Sequence, residues 1–100
     1  MRQAFELAPN DGHVAVRLAV ALLAAGQPAE AADALGRAAE LEPHYAEVDV
    51  LMGDALRRIG DLPGAHAAYT RYLARAPRAA TAQRQRAQQW LTAAEGRATP

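Results

Sequence analysis

Residues 31–43 read AADALGRAAELEP, and residues 65–77 read AHAAYTRYLARAP, which is the same pattern 34 residues further along the chain. Both stretches begin with alanine and end with proline. Residues 1–9, MRQAFELAP, match the end of the pattern, since they repeat its Glu-Leu pair and its final proline. A fixed period that holds over several residue types indicates one supersecondary unit copied in tandem. Copied units stack and bury each other's apolar faces, which predicts a solenoid.

Each 34-residue unit is predicted to contain two helices joined by a tight turn. In the first unit, apolar residues recur every three or four positions over residues 12–25 and again over residues 28–41. Gly26 lies between these helices, where a left-handed residue is needed to end the first one. The second unit repeats the plan over residues 46–59 and 63–76, with Gly60 at its turn.

Two fragments flank the units. Residues 1–11 correspond to the end of a second helix, so either a longer protein precedes them or the array starts with a vestigial turn. After the second unit, a helix rich in Gln and Arg supplies the polar face that ends a solenoid. The expected fold is therefore an all-α helix-turn-helix solenoid in a single domain of residues 1–95. Its parts are a partial repeat (1–11), two full repeats (12–45 and 46–79), a capping helix (80–95) and a flexible tail (96–100).

The chain resembles the tetratricopeptide repeat family, whose unit is a 34-residue helix-turn-helix pair. The resemblance rests on small residues at unit position 8, glycine at 15, alanine at 20 and proline at 32. These residues are Ala19, Gly53 and Ala87; Gly26 and Gly60; Ala31 and Ala65; and Pro9, Pro43 and Pro77. The aromatic residue that the family usually has at position 4 is replaced by Ala15, Asp49 and Gln83. Such departures are typical of a divergent array of bacterial type.

The resemblance implies a protein or peptide partner, because the first helix of each unit lines a concave groove in this family. The groove is expected at unit positions 2, 5, 9 and 12, with an apolar end and a mixed-charge end that suit a segment with apolar anchors. Its predicted residues are His13, Val16, Val20 and Leu23; Glu47, Val50, Asp54 and Arg57; and Thr81, Arg84, Gln88 and Leu91. For Val16, Val20 and Leu23 an alternative is packing against an upstream helix or the chain's own terminus.

Some members of the family bind a C-terminal carboxylate through a clamp of Lys, Asn and Arg. Here Val16, Val20, Val50 and Asp54 occupy the clamp positions, and the chain has no Lys. We therefore expect no binding of an acidic chaperone tail.

Composition argues against catalysis. The chain has no Cys and no Ser, and its His13, His44 and His66 are too scattered to share a metal ion. We therefore expect no enzymatic activity, no metal and no cofactor. The net charge is zero, the arginines of residues 71–86 lack interleaved aromatic residues, and no apolar run reaches the length of a membrane span. Neither nucleic acid nor membrane is expected as a partner, and without a signal peptide the expected compartment is the cytoplasm.

Two other functions are compatible with the sequence. One is self-association through an uncovered N-terminal edge around Phe5, Leu18 and Leu22, and the other is a regulatory arm of an enzyme whose catalytic domain lies elsewhere. Residues 1–70 carry five Arg and ten acids, whereas residues 71–100 carry six Arg and one acid. A basic end on an acidic body can steer a partner or favour head-to-tail association, although solvated helix faces show the same asymmetry.

Overall fold

The computed structural model of the chain describes residues 11–76, 78 and 80–98, with side-chain environments up to residue 94. These residues form five helices: α1 (Gly12–Ala24), α2 (Pro28–Leu41), α3 (Glu47–Ile59), α4 (Leu62–Arg75) and α5 (Thr81–Ala98). Two helical hairpins, α1 with α2 and α3 with α4, pack on each other through α2 and α3, and α5 packs on α4. The predicted all-α helical repeat array is confirmed. Within the described residues, no helix is both long and apolar enough to cross a membrane.

Local sequence signals set the helix ends. The Asp11 carboxylate accepts hydrogen bonds from the backbone N–H groups of His13 and Val14, at 2.9 and 3.3 Å, and so caps α1. Asp61 caps α4 in the same way by accepting from the N–H of Gly64 at 3.0 Å. Gly60, which ends α3, has a φ of 100°, and a glycine reaches this left-handed region without a steric penalty. These ends depend on neighbours in sequence, which explains why the predicted boundaries lie within two residues of the observed ones here.

Residues 1–10 of the predicted partial repeat lie outside the described residues, as do Pro77, Ala79 and residues 99–100. The last helix differs from its prediction, because α5 continues to Ala98 through residues that were expected in a flexible tail. Gly96 alone does not stop a helix, since one glycine costs only about 1 kcal/mol relative to alanine.

Two apolar clusters form the core, and α3 contributes to both. Alanines dominate the first cluster, whose small side chains let the helices approach closely. It consists of Ala15, Val16, Ala19, Leu22, Leu23, Ala31, Ala34, Leu35, Ala38, Val48 and Ala55. The second cluster joins α3, α4 and α5 and consists of Val50, Ala65, Tyr69, Tyr72, Ala87 and Leu91. The two clusters therefore share α3, which belongs to the second hairpin and packs on α2 of the first.

Trp90 of α5 lies at the margin of the second cluster, where it is only partly buried. Its ring lies against Tyr69 with 5.2 Å between the ring centroids. The reason for this partial burial is geometric, because α5 is the last helix that the structure describes and packs mainly on α4, so no later described helix covers its outer side.

Gly53 of α3 faces the buried ring of Tyr69 on α4. A Cβ atom at Gly53 would lie 2.7 Å from the Cδ1 and Cε1 atoms of that ring, well inside van der Waals contact. In the first unit Ala19 and Leu35 hold the corresponding positions. The second unit thus pairs a glycine with the large tyrosine ring, whereas the first unit pairs an alanine with the smaller leucine.

We predict that Gly53→Ala lowers the free energy of unfolding on the order of 1 kcal/mol or more, because the Tyr69 ring must move. Adding Tyr69→Leu should recover part of the loss, since the double variant recreates the Ala19–Leu35 pair. Denaturant unfolding measures both values.

Gly36→Ala in α2 is the matched control, because no atom lies within 4 Å of its added Cβ. It should raise stability by roughly 0.5–1 kcal/mol through helix propensity alone. A Gly53→Ala variant as stable as Gly36→Ala would contradict the close contact.

Candidate functional site

Two depressions lie side by side at the N-terminal ends of α1, α3 and α5. The first, of about 380 Å³, lies between α1 and the start of α3. Its lining residues are His13, Val16, Arg17, Val20, Tyr45 and Glu47. The second, of about 350 Å³, lies between the starts of α3 and α5 and the end of α4. Its lining residues are His44, Tyr45, Ala46, Glu47, Tyr72, Arg75, Ala80 and Gln83. Tyr45 and Glu47 belong to both linings, and we call this pair the junction.

Hydrogen bonds fix the geometry of the junction. The Tyr45 hydroxyl donates to Oε2 of Glu47 at 2.8 Å. The His13 ring lies against the Tyr45 ring with 4.8 Å between centroids and 52° between the planes. The hydrogen bond to the Glu47 carboxylate and partial burial both raise the pKa of Tyr45 above its ordinary value. The junction therefore joins the loop before α3 to the first turn of α1 through ring contact.

Tyr45 was missed by the sequence prediction of the groove. It lies in the loop between α2 and α3, whereas the prediction considered only positions on the first helix of each unit. Its backbone N–H donates to the carbonyl of Glu42 at 3.1 Å, and its carbonyl accepts from Val48 at 3.1 Å. This compact loop directs the ring over the depressions. An aromatic residue next to a helix start was the signal available in the sequence.

The predicted groove residues separate into three groups. His13, Val20 and Glu47 are exposed and line the first depression, and Val20 keeps 46% of its surface exposed. Thr81 and Gln88 are exposed on α5 but line neither depression. The remaining residues are buried or half-buried.

Val16, Leu23, Val50 and Leu91 form the buried group. They keep 4%, 8%, 1% and 6% of their surfaces exposed, respectively, and they belong to the two core clusters. The described packing partners of Val16 and Leu23 lie on α2 and α3, whereas the packing alternative named an upstream helix or the chain's own terminus. Val16 also lines the first depression, so it offers a ligand part of an apolar floor.

Asp54 and Arg84 hold the capping helix in place. Asp54 accepts a hydrogen bond from the Tyr69 hydroxyl, and its other oxygen lies 2.9 Å from the guanidinium of Arg86 on α5. Arg84 donates to the carbonyls of Leu73 and Ala76 at the end of α4, at 3.1 and 3.2 Å. Arg57, which is half-buried, lines neither depression. Asp54 and Arg84 thus connect helices within the chain.

A buried acid, Asp49, is the second feature that the groove prediction missed. Its carboxylate pairs with Arg75 of α4 at 2.9 Å and with Arg71 at 3.4 Å. Arg75 also donates to the carbonyl of Pro43. Arg71 and Arg75 are one helical turn apart and therefore lie on the same face of α4. Two arginines on one face, after an acid at unit position 4 of the preceding helix, were the signal for this pairing in the sequence. The pairing positions Arg75 in the wall of the second depression.

The N-terminal edge that self-association would use is partly buried within the chain itself. Leu22 keeps only 7% of its surface exposed and lies in the first cluster, so it offers little to a second copy. Leu18 is half-buried, and Phe5 lies outside the described residues. Within the part of the chain that the structure describes, no three His, Asp or Glu residues are grouped closely enough to hold a metal ion.

Comparison with known proteins adds one finding to this geometry. A family model described as a tetratricopeptide repeat matches residues 22–91 of the chain. A search of curated proteins finds no match.

We predict that the tyrosines ionise at higher pH in the folded chain than in the unfolded one. Burial raises the pKa of Tyr72, and burial together with the hydrogen bond to Asp54 raises that of Tyr69 above its ordinary value of 10.0. Because the neutral phenols are favoured by folding, this stabilisation is complete below pH 10.0 and is lost as pH rises through the folded-state values.

Tyrosinate absorbance measured against pH, with and without denaturant, tests this expectation. Tyr69→Phe should remove the part of the native titration that occurs at the highest pH. Coincident native and denatured titrations would contradict the buried hydroxyl.

Proposed function

This chain belongs to the tetratricopeptide repeat family, and we propose that it binds an extended segment of a partner protein across the two depressions. Tetratricopeptide repeats are generally protein–protein interaction modules, and they are typically non-catalytic. The proposal takes residues 12–45 and 46–79 as two full repeats, residues 80–95 as the cap and residues 1–11 as a partial repeat. It assigns the chain a binding role, with no catalytic residues and no cofactor.

The observation that carries the proposal is the exposed apolar surface inside the first depression. Val20 keeps 46% of its surface exposed although it stands on a helix face above the buried Val16. Burying such a side chain is favourable at about 25 cal/mol per Å² of apolar area. A ligand that enters the first depression therefore has an apolar anchor point at Val20.

Contacts between helices favour a preformed site. Arg58 near the end of α3 donates to the carbonyl of Leu23 near the end of α1 at 2.8 Å, which fixes the two helices that border the first depression relative to each other. Arg84 joins α5 to the end of α4, beside the second depression. A site that is ordered before binding loses less conformational entropy when the partner segment docks. These contacts support a rigid surface for a flexible ligand.

Peptide selection followed by calorimetry tests the proposal. A displayed library of random peptides is selected on the folded chain, and the dissociation constants of the enriched peptides are measured. Val20→Asp should weaken binding about tenfold or more, because a carboxylate replaces the apolar anchor.

Leu62→Asp is the matched control. Leu62 keeps 49% of its surface exposed, close to the 46% of Val20, but it starts α4 and lines neither depression. It should change affinity by less than about twofold. Equal weakening by both variants, or the enrichment of no peptide, would contradict the proposed function.

A further inference from the structure

Three acids lie on α3, and they differ in their partners. Asp49 pairs with Arg71 and Arg75, and Asp54 pairs with Arg86. Glu47 is exposed at the junction and forms no ion pair with any residue that the structure describes. Its Oε2 accepts from the Tyr45 hydroxyl at 2.8 Å, which orients the carboxylate and leaves Oε1 to accept from a ligand. Glu47 is thus a fixed acid without a cationic partner in the described chain.

The surroundings of Glu47 also suit a cation. Tyr45 is partly buried and lines both depressions, whereas Tyr72 lines the second one with only 3% of its surface exposed and presents little ring face to a ligand. Aromatic faces attract guanidinium and ammonium groups, and a carboxylate beside them adds a charge-assisted hydrogen bond. Arg75 also lines the second depression, but its guanidinium is held by Asp49 and by the carbonyl of Pro43. Arg17 is the charged side chain that Glu47 meets in the lining of the first depression, and Glu47 is the only acid among the described residues that line either depression.

We propose that the junction binds a lysine or arginine side chain of the partner segment, with Glu47 as its acceptor. This inference rests on the proposed function, since the same segment places an apolar residue on Val20. It adds to that function a charge requirement on the partner and a fixed position for the charge.

The repeat geometry sets the spacing between the two anchors. Val20 is at unit position 9 of the first repeat and Glu47 is at unit position 2 of the second. Seven residues of helix correspond to roughly 10 Å along the axis, and packed helices lie about 8–10 Å apart. The anchors are therefore about 14 Å apart, which an extended segment covers in about four residues. The partner is expected to carry an apolar and a basic residue about four positions apart.

A second copy of this chain is a weaker candidate for the occupant. The segment of residues 71–100, which carries a net positive charge, includes α5, and α5 is helical rather than extended. Its exposed residues include Gln83, Gln85, Gln88 and Gln89, and the described part of α5 exposes no fully solvated large apolar side chain that could cover Val20. A segment of a separate partner can be extended and can carry an apolar residue for Val20, so it meets both requirements.

Selection of peptides on two forms of the chain tests the inference. Peptides enriched on wild type should carry Lys or Arg about four positions from an apolar residue. On Glu47→Arg the enriched peptides should carry Asp or Glu at that position and keep the apolar residue. Glu47→Gln should weaken an enriched peptide about tenfold and reduce the salt dependence of binding. Replacing the peptide's basic residue by Gln should bring no further loss in this variant.

Glu30→Gln is the matched control, because Glu30 is also an exposed acid in the first turn of a helix and lines neither depression. It should leave affinity within about twofold. Peptides that depend on Val20 but show no basic residue, and whose affinity is unchanged by Glu47→Gln, would overturn the inference and leave the proposed function standing. Failure to enrich any peptide would overturn both. Salt-sensitive self-association of the peptide-free chain that Glu47→Gln abolishes would overturn the choice of a separate partner.

Discussion

The close approach of α3 and α4 at Gly53 determines how the second half of the array is built. Only a residue without a Cβ leaves space for the Tyr69 ring at this position. The buried ring then directs its hydroxyl to Asp54, and Asp54 in turn pairs with Arg86 of α5. Trp90 rests on the same ring. The position of the capping helix therefore depends on a contact made one helix earlier.

Arginine side chains provide most of the described polar contacts between helices. Arg58, Arg75 and Arg84 each donate to backbone carbonyls at or just after the end of another helix. The last carbonyls of a helix lack partners within it, so they are natural acceptors for these donors. A guanidinium with five N–H groups can bind a carbonyl and a carboxylate together, as Arg75 does, which a lysine does less well. Part of the positive charge near the C-terminus is thus used inside the fold.

Features that depend on neighbours in sequence could be predicted, and those that depend on the angle between helices could not. The repeat period, the turn at Gly60 and the caps at Asp11 and Asp61 follow from local chemistry. The period also identified the face that carries Val20 and Glu47. It could not show that Val50, at the same unit position as Val16, is fully covered by α4 and α5. Asp49 escaped prediction because its partners lie on another helix, whereas Tyr45 was missed because it lies in the loop before α3, outside the helical positions that the groove prediction considered.

The sharing of α3 between the two clusters has a consequence for cooperativity. Val48 and Ala55 of this helix belong to the first cluster, while Val50 belongs to the second. If α3 unravels, both clusters lose members at once, so the two hairpins lose core packing together. In a linear array, such nearest-neighbour coupling makes a short stack melt as one unit. A ligand held at the start of α3 therefore acts on the folding equilibrium of the whole stack, although it touches one edge of it.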